Sequence, residues 1–569
     1  MKVKKFNFVL IIILMILIAI AAYIILFNPV QKLISGVTDA KELISIGLKS
    51  ASLTSENYDE YYLESQESLN IFHYDLALEL FPNEEKISAN AILKGIVTNN
   101  DVDQISLNFR EDFEINFVRL NGEEAKYDYD DLHLKINFNN SLIDTFYAEI
   151  NYEGKPETLG FGSFVFGEEN ESSVVYTLNE PVFASTWFPC NDHPDDKAFL
   201  DFKITNDSSK VSVSNGILID ERIKGARKTY HWKTLYPIST YLIAFYSADY
   251  VNFNQEYIGI ENDTMDIEYF VFPEHLEEAE IDFIDHPKML RFMAETFGEY
   301  PFIEEKYGVA EFLWQYGAIE HQTITGIGSR FIGGRKFFDN VYIHEVAHQW
   351  WGNAVGLKSW DDIWLNEGFA SYSEALYYEN RNGRTALFST MKDFARTNFS
   401  GRLYAPEGSL FSRTIYHKGA WVLHMLRREI GDSLFFASMR KYFNKYKYEN
   451  ASTEDFISVT ENISGKNLEK FFDQWVYSGE GIIEIEYKWI KKRRSGKILN
   501  TLILEQMQDE YEEYHFPLEI KLLNGEKFEL KDFTIDKKNQ TMKFETEDIY
   551  DKIIFDPNGW LLLEAVKLE

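Results

Sequence analysis

The chain of 569 residues holds one cysteine, Cys190. An intrachain disulfide is therefore excluded, and so is a zinc site built from several cysteines. The missing disulfides leave the compartment open, because a chain of this length builds cores that do not need them. Basic residues are also scarce: 57 Lys+Arg face 91 Asp+Glu, a net charge of −34. Such a chain repels phosphate backbones, so nucleic acid is not expected as a partner. Internal repeats and low-complexity tracts are absent from the sequence. Hydrophobic residues at 45% and charged residues at 26% are ordinary for a globular protein, which excludes disorder, collagen and a polytopic membrane protein. Aromatics are plentiful at 16%, with 45 Phe and 34 Tyr, which predicts extensive sheet and well-filled cores.

One long apolar run is present. Residues 6–27, FNFVLIIILMILIAIAAYIILF, carry no charge, and about 20 such residues cross a bilayer. Lys2, Lys4 and Lys5 precede the run, and positive charge stays on the cytoplasmic side. The expectation is a single-pass signal-anchor over 1–28, with the N-terminus cytoplasmic and the remainder extracytoplasmic. A cleavable signal peptide is the rival reading, since Ala19, Ile20 and Ala21 form an A-x-A site. The apolar run continues past that site, and h-regions are usually shorter.

A polar spacer is expected over 29–68. From 69 to 253 the pattern is alternating, as in HYDLALEL and ISANAILKGIV, and predicts a β-rich domain. From 254 to 478 helical periodicity dominates. Ile281, Ile284, Met289, Phe292 and Met293 mark one helix, Tyr416, Ala420, Leu423 and Leu426 a second, and Phe456, Val459 and Ile463 a third. Strands return over 479–569, where the run Lys491 to Arg494 is read as a solvated hairpin tip. The fold class is multidomain α+β.

Residues 344–348 read HEVAH. In a helix, His344 and His348 lie one turn apart on one face and reach a single ion. Glu345 projects beside them and is placed to take a proton from a water on the metal. Glu367, in WLNEGFASY, follows His348 after eighteen residues that include a Gly-containing loop. A second helix beginning near Asp361 would deliver it as the third ligand. His, His and Glu leave a fourth position open, the arrangement of catalytic rather than structural zinc. One Zn2+ per chain is expected. The hydrolysis also needs an oxyanion donor. Periodicity alone reads Tyr416 as a packing residue.

HEVAHQWWGN followed by WLNEGFASY resembles the aminopeptidase N family of gluzincin zinc peptidases. Four further stretches agree in order: TLNEPVFASTWFPCNDHPDDKA, YGAIEH, TIYHKGA and STEDFISVTENISGKNLEKFFDQWV. The resemblance runs from about residue 70 to 478. It implies a β-saddle domain over 69–253, a thermolysin-like zinc catalytic domain over 254–478 and a small β-sandwich over 479–569. The family's large helical domain is expected to be missing, leaving a more open cleft. Residue by residue, the resemblance places zinc on His344, His348 and Glu367, the general base on Glu345 and the oxyanion-stabilising phenol on Tyr416. It places the substrate's amine on Glu320 and Glu180, and the substrate strand along Gly317, Ala318 and Ile319. Two carboxylates at the blind end of a cleft suit a cationic α-amino group. Ile319 and His321 stand where the family has Met and Asn. His321 is expected either to alter backbone positioning or to add a group titrating near pH ~6.5.

The function so implied is a membrane-anchored zinc aminopeptidase acting on peptides with a free N-terminus, with the lipid bilayer as its other partner. A catalytically silent peptide-binding relative and a thermolysin-like endopeptidase remain as alternatives. No oligomeric state follows from the sequence. Ser371, one turn after Glu367, is a candidate support for that ligand, Trp350 and Trp351 are read as packing, and Cys190 as a small buried hydrophobe.

Overall fold

The computed structural model describes residues 62–568, apart from 100–101, 139–144, 396–398, 510 and 512. The expected anchor and most of the expected spacer lie outside the described residues. No helix among the described residues is long and apolar enough to cross a membrane.

The alternation at the start of the β-rich segment becomes an eight-stranded sheet. In β1 (Leu69–Phe81), Tyr74, Leu76, Leu78 and Leu80 are buried, while the residues between them are half exposed. One face therefore packs on the core and the other meets water. β2 (Lys86–Val97) pairs with β1 antiparallel, while β3 (Phe199–Asp207) pairs with it parallel on the other side.

A second sheet carries part of the site. It contains β4 (Val251–Ile258), β5 (Thr264–Val271), β6 (Tyr307–Phe312), β7 (Ala318–Ile319) and β8 (Ile324–Gly328), in the order β4-β5-β6-β8-β7. Its first strand straddles the boundary expected between 253 and 254. The short β7 is an edge, held antiparallel to β8 through Ala318↔Ile327 and Ile319↔Gly326.

The helix expected across Ile281 to Met293 is two helices. α1 (Leu276–Asp282) ends in a 3-10 turn at Phe283–Asp285, and α2 (His286–Phe297) starts with Pro287 in its first turn. Proline lacks the N–H that a continuous helix would need there, but fits a helix start. Ile281 and Ile284 are consequently exposed rather than part of the buried stripe.

Strands over Ile483–Arg494, Lys497–Gln506, Asn539–Thr546 and Leu563–Lys567 form a four-stranded sheet, and Phe516–Asn524, Lys527–Ile535 and Lys552–Phe555 a three-stranded one. Lys491 to Arg494 are not the hairpin tip. They close the first of these strands, with Arg494 opposite Lys497. The turn is Ser495–Gly496, both at positive φ, which is the two-residue geometry that matches strand twist.

Candidate active site

α3 (Asp339–His348) presents HEVAH, and α4 (Trp364–Asn382) carries Glu367 in its first turn, after a 3-10 turn at Trp360–Asp362. The two helices bring His344, His348 and Glu367 together. His344 Nε2 and His348 Nε2 stand 3.1 Å apart, and Glu367 Oε2 lies 3.3 Å from the first and 3.4 Å from the second. Ligands about 2 Å from a tetrahedral ion are separated by about 3.3 Å, so the three atoms match one face of a zinc coordination tetrahedron. Each imidazole is fixed from behind. His344 Nδ1 bonds Glu374 Oε1 at 2.8 Å, and His348 Nδ1 bonds the carbonyl of Trp351 at 3.0 Å. These contacts direct both Nε2 atoms at the ion.

Glu374 escapes the sequence reading. Its one signal is position: it follows Glu367 by two helical turns and so shares its face. Ser371, the expected support, lines the cleft, but its Oγ has no partner among the described residues. Trp350 and Trp351 pack as expected, against Tyr300 and Phe297 respectively. Cys190 is fully buried and burial pushes its thiol well up, so it is an inert core residue.

Tyr416 lies in a π-helical turn, Thr414–Lys418, that runs into α5 (Gly419–Ile430). Gly419 meets Gly368 of α4 at backbone contact: a Cβ on either would stand under 3.0 Å from the other's Cα. That approach sets the turn over the ligands. The Tyr416 hydroxyl donates to Glu367 Oε1 at 2.9 Å, and its ring stacks on His344 at 5.8 Å and 9°. Burial, and then the charge of Glu367, hold the phenol protonated. It is therefore a standing donor beside the metal position.

Glu345 is buried, and burial raises its carboxyl to about 8. Its Oε2 has no hydrogen-bond partner among the described residues. Glu180 and Glu320 are each 4% exposed, and Oε1 of each is likewise unpartnered. Both lie within 4.8 Å of a Glu367 oxygen. Burial raises both carboxyls, and neighbouring carboxylates raise Glu180 further. The carbonyl of Glu320 is held by Gln349 Nε2 at 3.2 Å and Asn353 Nδ2 at 2.6 Å, just beyond the end of α3. Five buried or nearly buried carboxylates (Glu180, Glu320, Glu345, Glu367 and Glu374) thus surround two imidazoles. Such a site calls for cations. A divalent ion at His344, His348 and Glu367 supplies one of them.

His321 does not titrate near neutrality. It is fully buried, its Nδ1 meets the Tyr246 hydroxyl at 2.7 Å, and burial holds its pKa at about 3. Ile319 is buried on β7, while Ala318 and the preceding Gly317 line the cleft beside that strand, whose outer edge is unpaired among the described residues. An edge of this kind accepts an extended peptide.

The three ligands, the five carboxyl groups, Tyr416 and residues 317–319 line one cleft of about 460 Å³, walled by Phe161, Leu178, Trp314, Phe331, Phe394 and Phe411. A larger groove of about 1080 Å³, beside Tyr62, His193, Lys358 and Arg402, holds none of the ligand set.

Residues 71–242 match the Peptidase M1 N-terminal domain, and residues 285–475 match the Peptidase family M1 domain. The aminopeptidase N of Lactococcus lactis subsp. lactis is 26% identical over 470 residues, 77% of this chain and 53% of that protein. The probable aminopeptidase 2 of Sulfurisphaera tokodaii is 27% identical over 416 residues, 68% of this chain and 52% of that protein. The chain thus spans about half the length of these curated relatives. Among solved structures, a mutant M1 zinc metallopeptidase of Deinococcus radiodurans bound to a Tyr-Ser-Ala substrate superposes with a TM-score of 0.64 at 25% identity, covering 72% of this chain and 95% of that one. The aminopeptidase A of Legionella pneumophila, in complex with aspartic acid, shares the fold at a TM-score of 0.76 and 20% identity, over 88% of this chain and 59% of that one. The chain belongs to peptidase family M1.

Proposed function

We propose that the protein is a zinc aminopeptidase that removes the N-terminal residue of peptides. The observation that carries this reading is the pair of buried carboxylate oxygens on Glu180 and Glu320, beside the ligand set, that accept no hydrogen bond among the described residues. They accept charge-assisted hydrogen bonds from a cationic α-ammonium. With the amine held there, the first peptide carbonyl falls at the His344–His348–Glu367 position, and a chain continuing past the amine is refused.

Zinc held by these three residues supplies Lewis acidity at neutral pH. The ion's charge would draw the neighbouring Glu345 carboxyl back to its ionised form, in which it takes a proton from the attacking water and returns it to the leaving amine. Tyr416 donates its hydroxyl proton in a hydrogen bond to the developing oxyanion. The free edge of β7 orients the substrate backbone. Phe161, which packs on Trp314 at 6.1 Å and on Phe411 at 5.5 Å, makes an aromatic wall in the same cleft. With Leu178 and Ile319 it favours a bulky apolar first side chain.

The enzyme is further proposed to be held in the membrane by residues 6–27, with the catalytic part outside the cytoplasm. The uncharged run and the lysines before it support this. Protease protection in membrane vesicles tests it: the full chain should sediment with the membrane and be digested only from the extracytoplasmic face.

Activity is tested with free aminoacyl amides and their N-acetylated counterparts, with and without chelator. The reading requires cleavage of the free amines alone, abolished by chelator. Cleavage of acetylated substrates would turn it toward an endopeptidase, and no cleavage by folded, zinc-loaded protein toward a silent peptide binder.

A further inference from the structure

The contacts around the ligand set give the cleft a direction. Glu320 Oε1 lies 3.6 Å from His348 Nδ1, so the amine end is on the His348 side. Tyr416 stacks instead on His344, on the other side of the ligand set. His417, the next residue, also lines the cleft, and its ring stacks on Phe394 at 4.5 Å and 13°. Arg413 Nη2 stands 3.4 Å from His417 Nδ1. The order along the cleft is therefore amine anchor, metal ligands, then His417 with Arg413. A substrate whose amine sits at Glu180 and Glu320 runs its C-terminal part toward Arg413.

Arg413 is exposed, and among the described residues no carboxylate pairs with it. The inner cleft is lined by carboxylates, and Arg413, in contact with the cleft residue His417, puts the opposite charge beside it. The polarity matches a zwitterionic short peptide, ammonium inward and carboxylate outward. A guanidinium presents paired N–H donors that fit a carboxylate in two parallel hydrogen bonds.

We infer that Arg413 receives the C-terminal carboxylate of short peptides, making substrates with a free carboxylate a few residues beyond the scissile bond the preferred class. The inference rests on the aminopeptidase reading above and adds a selection for chain length to it. A long polypeptide presents neutral backbone at that point and gains nothing from the arginine.

The test compares Phe-Ala-Ala with its C-terminal amide, using wild type and the variants Arg413→Gln and Arg413→Lys. The expected KM of the acid in wild type is about threefold to tenfold below that of the amide, the range of a partly exposed charge-assisted contact. In Arg413→Gln that ratio falls to about one, and Arg413→Lys keeps part of it, because the point charge remains without the fork. Taking the acid-to-amide ratio within each protein removes any general structural effect, which would move both substrates alike. Equal KM values in wild type, or a ratio that survives in Arg413→Gln, would overturn the assignment while leaving the aminopeptidase reading in place. Failure to cut either peptide would remove that reading, and the assignment with it.

Discussion

Gly368 and Gly419 touch: a Cβ built on Gly368 would meet the Cα of Gly419 at 2.9 Å, and one on Gly419 the Cα of Gly368 at 2.8 Å. Each glycine sits next to chemistry, Gly368 directly after Glu367 and Gly419 three residues after Tyr416. The contact is what lets the phenol reach the ligand carboxylate.

Alanine at either glycine should force α4 and α5 apart. Both obstructing atoms are backbone, so no side chain can yield. The expected cost is about 1–3 kcal/mol of stability, the range of an overpacked core. At temperatures where the variant is folded, kcat should fall with zinc content unchanged, because Tyr416 is moved and the ligands are not. Calorimetry, metal analysis and steady-state kinetics on Gly419→Ala check this, and an unchanged kcat would count against the role of the contact.

Glu374 should tune the metal. Its bond to His344 Nδ1 is 2.8 Å, and losing such a support costs about 10–100-fold in metal affinity. Glu374→Ala, titrated against a competing chelator, should release zinc at correspondingly lower chelator concentration. Ser371→Ala should not, since its hydroxyl makes no bond to the ligands.

Metal uptake should expel protons. Burial works to lower His344 and His348, but Glu367 and Glu374 lift the first well above the ordinary histidine value, and Glu320 and Glu367 lift the second to about 9. The carboxylate–imidazolium contacts therefore stabilise the metal-free protein fully below pH ~6.5 and fade as pH rises through about 9. Zinc takes neutral imidazoles only. The gain in Tm on adding a fixed zinc concentration should thus be larger at pH 9 than at pH 6. Titration calorimetry at pH 7 in buffers of different ionisation enthalpy should report at least one proton released per ion, and a value of zero would contradict the electrostatics.

The aromatic wall predicts a side-chain preference. Phenylalanyl amides should exceed alanyl amides by at least about tenfold in kcat/KM, the discrimination a hydrophobic pocket supports. Phe161→Ala should shrink that ratio by lowering the phenylalanyl value, since the ring it removes packs against Trp314 and Phe411.

The ligand set is legible in the sequence because metal binding imposes spacing. Two histidines one turn apart and a glutamate on the next helix form a pattern that periodicity alone places on one side. The proposed amine anchor is not legible that way. Glu180 and Glu320 are two among 91 acids, and only resemblance selects them. Glu374 is hidden for the same reason, since a glutamate on a helix carries no mark of what it bonds. The alternation of β1 maps directly onto burial because a strand has period two, whereas the stripe from Ile281 to Met293 misleads: apolar spacing cannot register that Pro287 restarts the helix. His321 reads as a titrating group until its burial is known, and burial is a property of the fold.

In the proposed function Glu180 and Glu320 hold a free α-ammonium and so make the enzyme an exopeptidase. The most direct measurement is kcat/KM for a phenylalanyl amide and its N-acetylated form in zinc-loaded wild type and Glu320→Gln. The expected result is cleavage of the free amine alone in wild type, and a loss of about 10²-fold or more in Glu320→Gln, at unchanged zinc content, as one carboxylate of the anchor is neutralised. Comparable cleavage of the acetylated substrate, or a Glu320→Gln enzyme as active as wild type, would contradict it.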